Sequence, residues 1–319
     1  MGPPDPHRGS AVKSIPAFVT TASDGRGFAP GGSVYRPPSE AESLLLQVSV
    51  GCSHNRCAYC AMYREKRFAI RPFDDVVALI DDAAAWGPGA FRRVFLCDGD
   101  ALVLPQVKLV PILETIRAKL PWVERVATYG DCRSVLRKSV EELRELAGLG
   151  LALVYHGVET GDDEAMTSIV KGSTRDQVIA TADRLREAGI AHSVIVLLGI
   201  GGADGSERHA RETASLLTRI DPVYVGALTV TPVPGTPLGI AEAEGRFVLP
   251  TKMRLLEELR VLVADSDLTR CRFSSNHASN YLPLRATLPD DRAAMLAAID
   301  RVLASGDEGL LKPEWARGL

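Results

Sequence analysis

The sequence has no long apolar run, few aromatic residues and no excess of one charge. No stretch approaches the roughly 20 apolar residues that span a bilayer, and MGPPDPHRGS at the start lacks the apolar core of a signal peptide. Lys and Arg number 37 against 40 Asp and Glu, a net charge of −3, which does not indicate the broad basic face of a polynucleotide-binding protein. We therefore expect a cytoplasmic protein that has no membrane partner and for which a nucleic-acid partner is disfavoured.

Prolines concentrate at the start of the chain, where residues 1–38 hold seven of the 20 and show no sustained hydrophobic period. Such composition favours an extended arm. Apolar residues make up 46% of the whole chain, enough for a large core. We expect an arm over 1–38, a main domain over 39–235 and a segment over 236–319 that closes it.

After residue 43, short apolar runs alternate with amphipathic stretches that have helical spacing. Parallel strands need a helix-length crossover, so this alternation predicts a parallel sheet. Ser139 with Glu142 three residues later is typical of a helix start, and Gly189 of a helix end. Six units predict an α/β protein with a partial (β/α)6 TIM-like barrel, and residues 250–304 predict helix, short strand and helix. The six runs are Leu44–Val50, Arg93–Cys97, Val123–Tyr129, Leu151–Val158, His192–Leu198 and Val223–Val230.

Three cysteines, Cys52, Cys57 and Cys60, lie within nine residues directly after the first predicted strand. In parallel α/β folds, chemistry occurs at the carboxyl ends of strands. Three thiolates can hold three irons of a four-iron cluster and leave the fourth iron open for reaction. The alternative is a structural zinc site with His54 as the fourth ligand, although no second Cys-x-x-Cys or histidine pair completes it.

A cysteine triad after the first strand of a partial barrel resembles the radical S-adenosylmethionine (radical SAM) superfamily. Cys57-Ala58-Tyr59-Cys60 matches the second half of the superfamily's Cys-x3-Cys-x2-Cys motif, including the aromatic Tyr59, whereas the first half here has four intervening residues. The resemblance implies a [4Fe–4S] cluster on Cys52, Cys57 and Cys60, with S-adenosylmethionine (SAM) bound at the open iron.

The resemblance also implies contacts to SAM at other strand ends. An acidic, glycine-containing segment after the second strand would receive the amino group, and a carboxylate after the fourth strand would meet the ribose. A glycine-containing apolar stretch after the fifth strand would lie against adenine. Each of the first two segments has a structural alternative. The acidic segment after the second strand is also typical of a plain turn, and the segment after the fourth strand is also typical of a helix N-cap. The implied cofactor-binding residues are Tyr59, Asp98, Gly99, Asp100, Glu159, Leu198 and Gly199, with Ser193 or Lys171 toward the SAM carboxylate.

Two further polar segments are candidates for partner contacts. Four basic residues follow the three cysteines: Arg64, Lys66, Arg67 and Arg71. They either hold the carboxylate of SAM, dock an acidic electron donor such as flavodoxin or ferredoxin, or form a solvated basic turn. The run Ser274–Tyr281 contains the candidate substrate residues, and an ordinary surface loop is the alternative. These candidates are Asn276, His277, Asn280 and Tyr281.

The resemblance implies an enzyme that cleaves SAM reductively to a 5′-deoxyadenosyl radical, which takes hydrogen from a small-molecule substrate. Modification of RNA or a peptide, transfer of the aminocarboxypropyl group of SAM, and a non-enzymatic zinc or cluster protein remain alternatives. Cys97, Cys132 and Cys271 are far apart and lack Cys-x-x-Cys spacing, so we expect buried thiols there.

Overall fold

The computed structural model describes residues 34–318 and contains one large sheet with helices packed on its outer face. In this part of the chain, no helix combines the length and apolar character needed to cross a membrane. The strands are β1 (Leu44–Gln47), β2 (Ser49–Val50), β3 (Ala69–Ile70), β4 (Arg93–Cys97), β5 (Arg125–Tyr129), β6 (Leu151–Glu159), β7 (Ala191–Leu198), β8 (Tyr224–Thr229), β9 (Cys271–Ser274) and β10 (Arg285–Leu288).

Ten α-helices are described. The helices are α1 (Phe73–Ala84), α2 (Gln106–Lys119), α3 (Cys132–Leu136), α4 (Val140–Gly148), α5 (Asp163–Ser168), α6 (Arg175–Glu187), α7 (Gly202–Ile220), α8 (Pro237–Ala243), α9 (Lys252–Asp265) and α10 (Arg292–Ser305). Four of the five longest, α2, α6, α7 and α9, connect successive parallel strands. Ser139 and Glu142 form a reciprocal capping box at the start of α4, as predicted. Gly189, with φ of 75°, follows the end of α6, which confirms the predicted helix end.

The large sheet has the order β1-β4-β5-β6-β7-β8-β9-β10, and every pair is parallel except β9 with β10. The six predicted barrel strands are therefore adjacent in chain order, which confirms the α/β partial barrel. Because β1 and β10 stand at opposite ends of the recorded order, the sheet is an open barrel and not a closed one. Its carboxyl edge collects the loops that follow β1 and β4 to β8.

Side chains on the two faces of the sheet form separate cores. Phe95, Ala127 and Tyr155 belong to the inner cluster, against which Val34 packs. The residues that alternate with these along each strand point to the outer face of the sheet, where they pack against the helices. At the amino-terminal end of the strands, the fully buried Glu40 accepts hydrogen bonds from Tyr155 (2.6 Å) and Arg125 (2.5 Å).

The structure differs from the prediction in two places. The first apolar run is divided, because after Gln47 the chain leaves the barrel and Ser49–Val50 pairs antiparallel with β3. The C-terminal segment contains two strands where one was predicted, and β9 continues the barrel sheet beside β8. Most of the predicted arm lies outside the described residues, and its described end, 34–38, contacts the inner core through Val34.

Candidate active site

The cysteine loop is the segment Gly51–Phe68, and it lies over the carboxyl ends of the strands. The β2–β3 ribbon ties its two ends together. Its middle is fixed at Ala58, whose amide donates to the Ile169 carbonyl (2.8 Å) and whose carbonyl accepts from the Leu238 amide (3.0 Å). These bonds join the loop to the segment after β6 and to the start of α8, so the loop covers the mouth of the barrel.

Cys52, Cys57 and Cys60 are unpaired, partly buried thiols on this loop. Burial raises the pKa of the Cys57 thiol to about 11, and the neighbouring Cys60 and Cys52 add to the rise. A thiol in such a place ionises readily only when a cation compensates its charge, as metal ligation does. The three donors fit the three protein ligands of a four-iron cluster, in which each thiolate binds its own iron.

Gly99 provides the space beside the first of these cysteines. Its amide donates to the Gly51 carbonyl (3.0 Å), which holds the segment after β4 against the cysteine loop. A Cβ atom at position 99 would lie 2.5 Å from the Cβ of Cys52 and 3.0 Å from its sulfur. Position 99 therefore has a steric requirement, because only glycine fits next to Cys52. The predicted contact of Gly99 with SAM stays a prediction.

His54 is placed for a different role from that of a zinc ligand. Its Nε2 bonds the carbonyl of Val170 (2.8 Å), and its Nδ1 faces Nη1 of Arg133 (2.9 Å). Both ring nitrogens are thus used in holding the loop. Among residues 34–318, no three His, Cys, Asp or Glu side chains converge on one point as ligands of a single ion would. The geometry does not make His54 the fourth ligand that the zinc alternative needs.

Asp98 is used by the protein itself. Its buried carboxylate accepts from the amide of Gly51 (2.7 Å) and from Nε2 of Gln47 (2.8 Å), and it pairs with Lys66 (3.3 Å). It therefore anchors the start of the cysteine loop, and the predicted contact between Asp98 and the SAM amino group is not supported. Lys66 and Arg71, which is buried against Gln47, belong to this structural cluster and not to an exposed basic turn.

Asp100, the second acidic group after β4, has a different environment from that of Asp98. It is buried, and neither oxygen accepts a hydrogen bond of standard geometry from residues 34–318. Burial, with the nearby carboxylate of Asp131, raises the pKa of Asp100 well above its usual value. An ammonium group placed here would satisfy the carboxylate. The sequence reading missed Asp131 and Arg133, although they follow β5 as the other candidates follow their strands.

Glu159 lies at the centre of a buried polar cluster. Its Oε1 accepts from the hydroxyl of Tyr59 (2.7 Å) and from Nζ of Lys171 (2.9 Å). A register shift in β6 and a φ of 67° turn Glu159 toward the cysteine loop. A Cβ at Gly157 would overlap Glu159 Oε1 and lie 3.2 Å from Lys171 Nζ. Tyr59, Glu159 and Lys171 are thus brought together, with Lys171 as a partner of Glu159.

The end of β7 reaches the site through residues adjacent to those predicted. Leu197 and Ile200 pack with Ala58 and Tyr59 of the cysteine loop. The side chain of Leu198 points to the opposite face, where it joins the core under α9. Ser193 lies five residues before the strand end, in register with Tyr155 and Tyr224, so it is not at the mouth. Gly199, with φ of 84°, makes the turn itself.

The predicted substrate residues lie near the carboxyl end of β8, and most of them make structural contacts. The Ser279 hydroxyl accepts from the amide of Thr229, the last residue of β8 (3.2 Å). Asn280 donates to the carbonyls of Ala227 (2.8 Å) and Ser275 (2.7 Å). Three of the four predicted substrate residues bond other parts of the protein. Asn276 bonds Ser274, Asn280 bonds β8, and Tyr281 bonds Glu314 and Arg317.

His277, the fourth residue, is half-buried. Within residues 34–318 its ring is held at Nδ1, which contacts the Ser279 hydroxyl (2.9 Å) and accepts from the Ser279 amide (3.2 Å). Of the basic residues, Arg64 is exposed and donates to the carbonyls of Cys57 (2.7 Å) and Cys60 (3.0 Å). The three remaining cysteines are buried as expected: Cys97, Cys132 and Cys271.

A family model described as the radical SAM superfamily matches residues 46–214, more than half of the 319 residues. A biotin synthase of Dechloromonas aromatica (strain RCB) is 27% identical over 216 residues, which are 64% of this chain and 61% of that protein. A tRNA-2-methylthio-N(6)-dimethylallyladenosine synthase of Bordetella parapertussis is 23% identical over 244 residues, 71% of this chain and 49% of the relative. The chain thus spans about half to three-fifths of the length of these relatives.

Solved structures share the fold. The radical S-adenosylmethionine methyltransferase TsrM from Kitasatospora setae, with tryptophan substrate and a SAM analog bound, has a TM-score of 0.54 at 19% identity, covering 85% of this chain and 52% of that one. Methylornithine synthase (PylB) has a TM-score of 0.51 at 17% identity, covering 71% and 63%. At these identities the likeness concerns the barrel.

Proposed function

The chain belongs to the radical SAM superfamily, and from that premise we propose that Cys52, Cys57 and Cys60 hold a [4Fe–4S] cluster at which SAM is cleaved reductively. Enzymes of this superfamily bind a [4Fe–4S] cluster and SAM. When bound, these groups supply one-electron cleavage of a carbon–sulfur bond of SAM, giving methionine and a 5′-deoxyadenosyl radical that takes hydrogen from substrate. The observation that carries the proposal is the triad of thiols on a loop docked across the strand ends, with Gly99 packed against Cys52.

The residues around the loop have separable roles in this proposal. Asp100 receives the ammonium of SAM, because its buried carboxylate has acceptor capacity unused by the described residues. Glu159 faces the ribose hydroxyls through Oε2, since Tyr59 and Lys171 both bind Oε1. Ile200 and Leu197 give the adenine an apolar surface beside Gly199. Arg133, held by Asp131 at 3.1 Å, supplies a cation for the SAM carboxylate.

We propose a small-molecule substrate for the enzyme. The net charge of −3 supports this, as does the enclosed mouth, where the cysteine loop packs against both α8 and the segment after β6. An enclosed site protects a primary radical from water and from unwanted C–H bonds. Half-buried His277, beside the end of β8, is the candidate for a polar substrate contact.

A second candidate, modification of RNA, is favoured by the resemblance to tRNA-modifying relatives. It predicts tight RNA binding whose affinity falls steeply with salt, because phosphate contacts release counterions. A filter-binding series with transfer RNA between low and physiological salt separates the two candidates. Binding that is weak and unaffected by cluster loading favours the small-molecule substrate.

The electron is proposed to come from an acidic donor protein of the flavodoxin or ferredoxin type. Arg64 is exposed and touches the carbonyls of two cluster cysteines, and Arg56 and Arg67 are exposed on the same loop. Exposed cations steer an acidic partner to this face. Six unpaired cysteines support placing the protein in a reducing compartment such as the cytoplasm.

The test is anaerobic purification, iron and sulfide analysis, and incubation of the protein with SAM and dithionite. The proposal predicts about four irons and four sulfides per chain and release of 5′-deoxyadenosine with methionine. Release of methylthioadenosine would instead indicate transfer of the aminocarboxypropyl group. Colourless, iron-free protein after anaerobic reconstitution, or protein that leaves SAM intact, would refute the proposal.

A further inference from the structure

Glu258 is a buried carboxylate in α9, outside the part of the chain that the family model matches. Its side chain is almost fully buried. Oε2 accepts a hydrogen bond from the amide of Gly199 (2.6 Å), and Oε1 accepts one from the hydroxyl of Ser206 (2.6 Å). The adjacent Glu257 is half exposed and pairs with the surface residue Arg254 (2.7 Å). The two neighbouring glutamates therefore have different environments on one helix.

Among residues 34–318, no arginine or lysine forms an ion pair with Glu258, although Arg254 on the same helix acts to lower its pKa. The basic group in ion-pair range is Nε2 of His209, 3.7 Å from Oε2. Burial lowers the pKa of His209 to about 4, so this histidine is neutral near pH 7. A buried carboxylate without a cation is costly, and an apolar side chain would serve core packing better. What the carboxylate adds, compared with an apolar side chain, is two hydrogen bonds. One of them is to the backbone of the turn after β7.

That turn packs against the cysteine loop. Gly199 has a left-handed φ of 84°, and the next residue, Ile200, packs against Ala58 between Cys57 and Tyr59. The backbone amide that Glu258 holds is therefore one residue from the surface facing the cluster ligands. Within the turn, the Gly202 amide donates to the Gly199 carbonyl (3.0 Å) and the Ala203 amide to the Val248 carbonyl (2.7 Å). Glycines at 199, 201 and 202 leave the backbone flexible, and the Glu258 carboxylate adds the contact that holds the Gly199 amide.

The same group of side chains extends to the end of β6. Nδ1 of His209 bonds the hydroxyl of Thr160 (2.7 Å), which follows Glu159 in the chain. Thr160 also accepts from the amide of Asp162 (3.0 Å), so its hydroxyl proton is available to His209. Glu258 of α9 thus contacts the end of β7, and His209 of α7 contacts the end of β6. Both strand ends face the cysteine loop.

We propose that Glu258 is a positioning residue for SAM: it fixes the Gly199–Ile200 turn in the conformation that forms the adenine-facing wall of the site. The inference rests on the proposed function and adds a role for the C-terminal segment in cofactor affinity. Glu258 itself touches neither the cluster ligands nor the mouth. Its effect is carried by the amide of Gly199.

The experiment compares Glu258→Ala with the matched control Glu257→Ala in full-length, cluster-loaded protein. Hydrogen exchange of the peptide covering residues 197–203, measured without SAM, is expected to be at least tenfold faster in Glu258→Ala and unchanged in Glu257→Ala. The dissociation constant for SAM, measured by calorimetry, is expected to rise at least tenfold with iron content unchanged. Glu258→Gln is expected to restore most of both properties, since the amide oxygen can accept from Gly199 and the NH2 can donate to Ser206.

General loss of stability is separated by Leu262→Ala, which removes a fully buried side chain from the same helix. This variant is expected to lose thermal stability and keep the wild-type affinity for SAM. Glu258→Asp with Glu257→Asp replaces the alanine pair if Glu258→Ala does not fold, because the shorter side chain cannot reach both partners. Wild-type protein that does not bind SAM refutes the proposed function. Wild-type binding of SAM together with unchanged exchange and affinity in the Glu258 variant refutes the positioning role alone.

Discussion

The sharpest prediction concerns Gly99, where one added methyl group meets Cys52, the first of the three proposed cluster ligands. In Gly99→Ala the new Cβ lies 2.5 Å from Cβ and 2.7 Å from Cα of Cys52. Ordinary contact begins at 3.4 Å, so one of the two segments has to move by 3.4 − 2.5 = 0.9 Å. Neither contact atom is the flexible end of a long side chain, so the displacement falls on the backbone that carries the ligand.

The expected result is a folded protein that holds its cluster poorly. Overpacking of this kind costs about 1–3 kcal/mol, less than the stability of a typical domain. Metal–ligand distances tolerate only about 0.2 Å of error, so a shift of 0.9 Å at Cys52 is much larger than the site can absorb. We expect the iron content of Gly99→Ala to fall below half of the wild-type value, while the circular dichroism spectrum stays the same.

The assay is iron and sulfide analysis with the visible absorption of the cluster after anaerobic reconstitution. Gly148→Ala is the matched control, because an added Cβ there has no neighbour within 4 Å and the site lies at the end of α4. It is expected to load iron fully. Gly99→Ala protein with full iron, full sulfide and wild-type electron paramagnetic resonance of the reduced cluster would show that this close approach does not shape the site.

Three further predictions follow from the same geometry. Cys57→Ala is expected to lower formation of 5′-deoxyadenosine from SAM at least 100-fold, and iron analysis should show a partly or wholly lost cluster. Gly157→Ala is expected to retain iron but weaken SAM binding at least tenfold by calorimetry, because its Cβ displaces the Glu159–Lys171 pair. Burial raises the pKa of Glu258 from its ordinary 4.5 to about 7. Between pH 4.5 and pH 7 this carboxyl group is therefore protonated in the folded state and ionised in the unfolded state. The stability of the wild-type protein therefore declines as pH rises from 4.5 to 7, whereas glutamine at position 258 does not titrate. In denaturant titrations, the free energy of unfolding of Glu258→Gln relative to wild type should increase by up to about 3 kcal/mol over that range. A difference that does not depend on pH would contradict this prediction.

Secondary structure and the cluster motif followed from local patterns. The alternation of apolar runs and amphipathic stretches identified all six barrel strands, because parallel strands require helical crossovers. The capping pair Ser139 and Glu142 and the end at Gly189 are properties of a few adjacent residues, so they were predicted correctly. The cysteine triad was visible because its three members lie in one short loop.

The roles of single polar residues depended on contacts that the sequence does not display. Asp98 and Asp100 have the same chemistry and lie two residues apart. Asp98 accepts hydrogen bonds from Gly51 and Gln47, whereas Asp100 accepts none of standard geometry from residues 34–318. Leu198 and Leu197 look equivalent in sequence, and the alternation of the strand sends them to opposite faces.

The sequence by itself determined the α/β barrel, the position of the cysteine loop at a strand end and the resemblance to radical SAM enzymes, because each depends on residues close together in the chain. Only the tertiary structure decided that Glu258, 59 residues beyond Gly199, bonds the turn beside the cysteine loop. A glutamate on an amphipathic helix is usually solvated, and its burial here results from the packing of α9 on α7. Contacts between distant segments are set by the arrangement of the helices on the sheet, which no local pattern records.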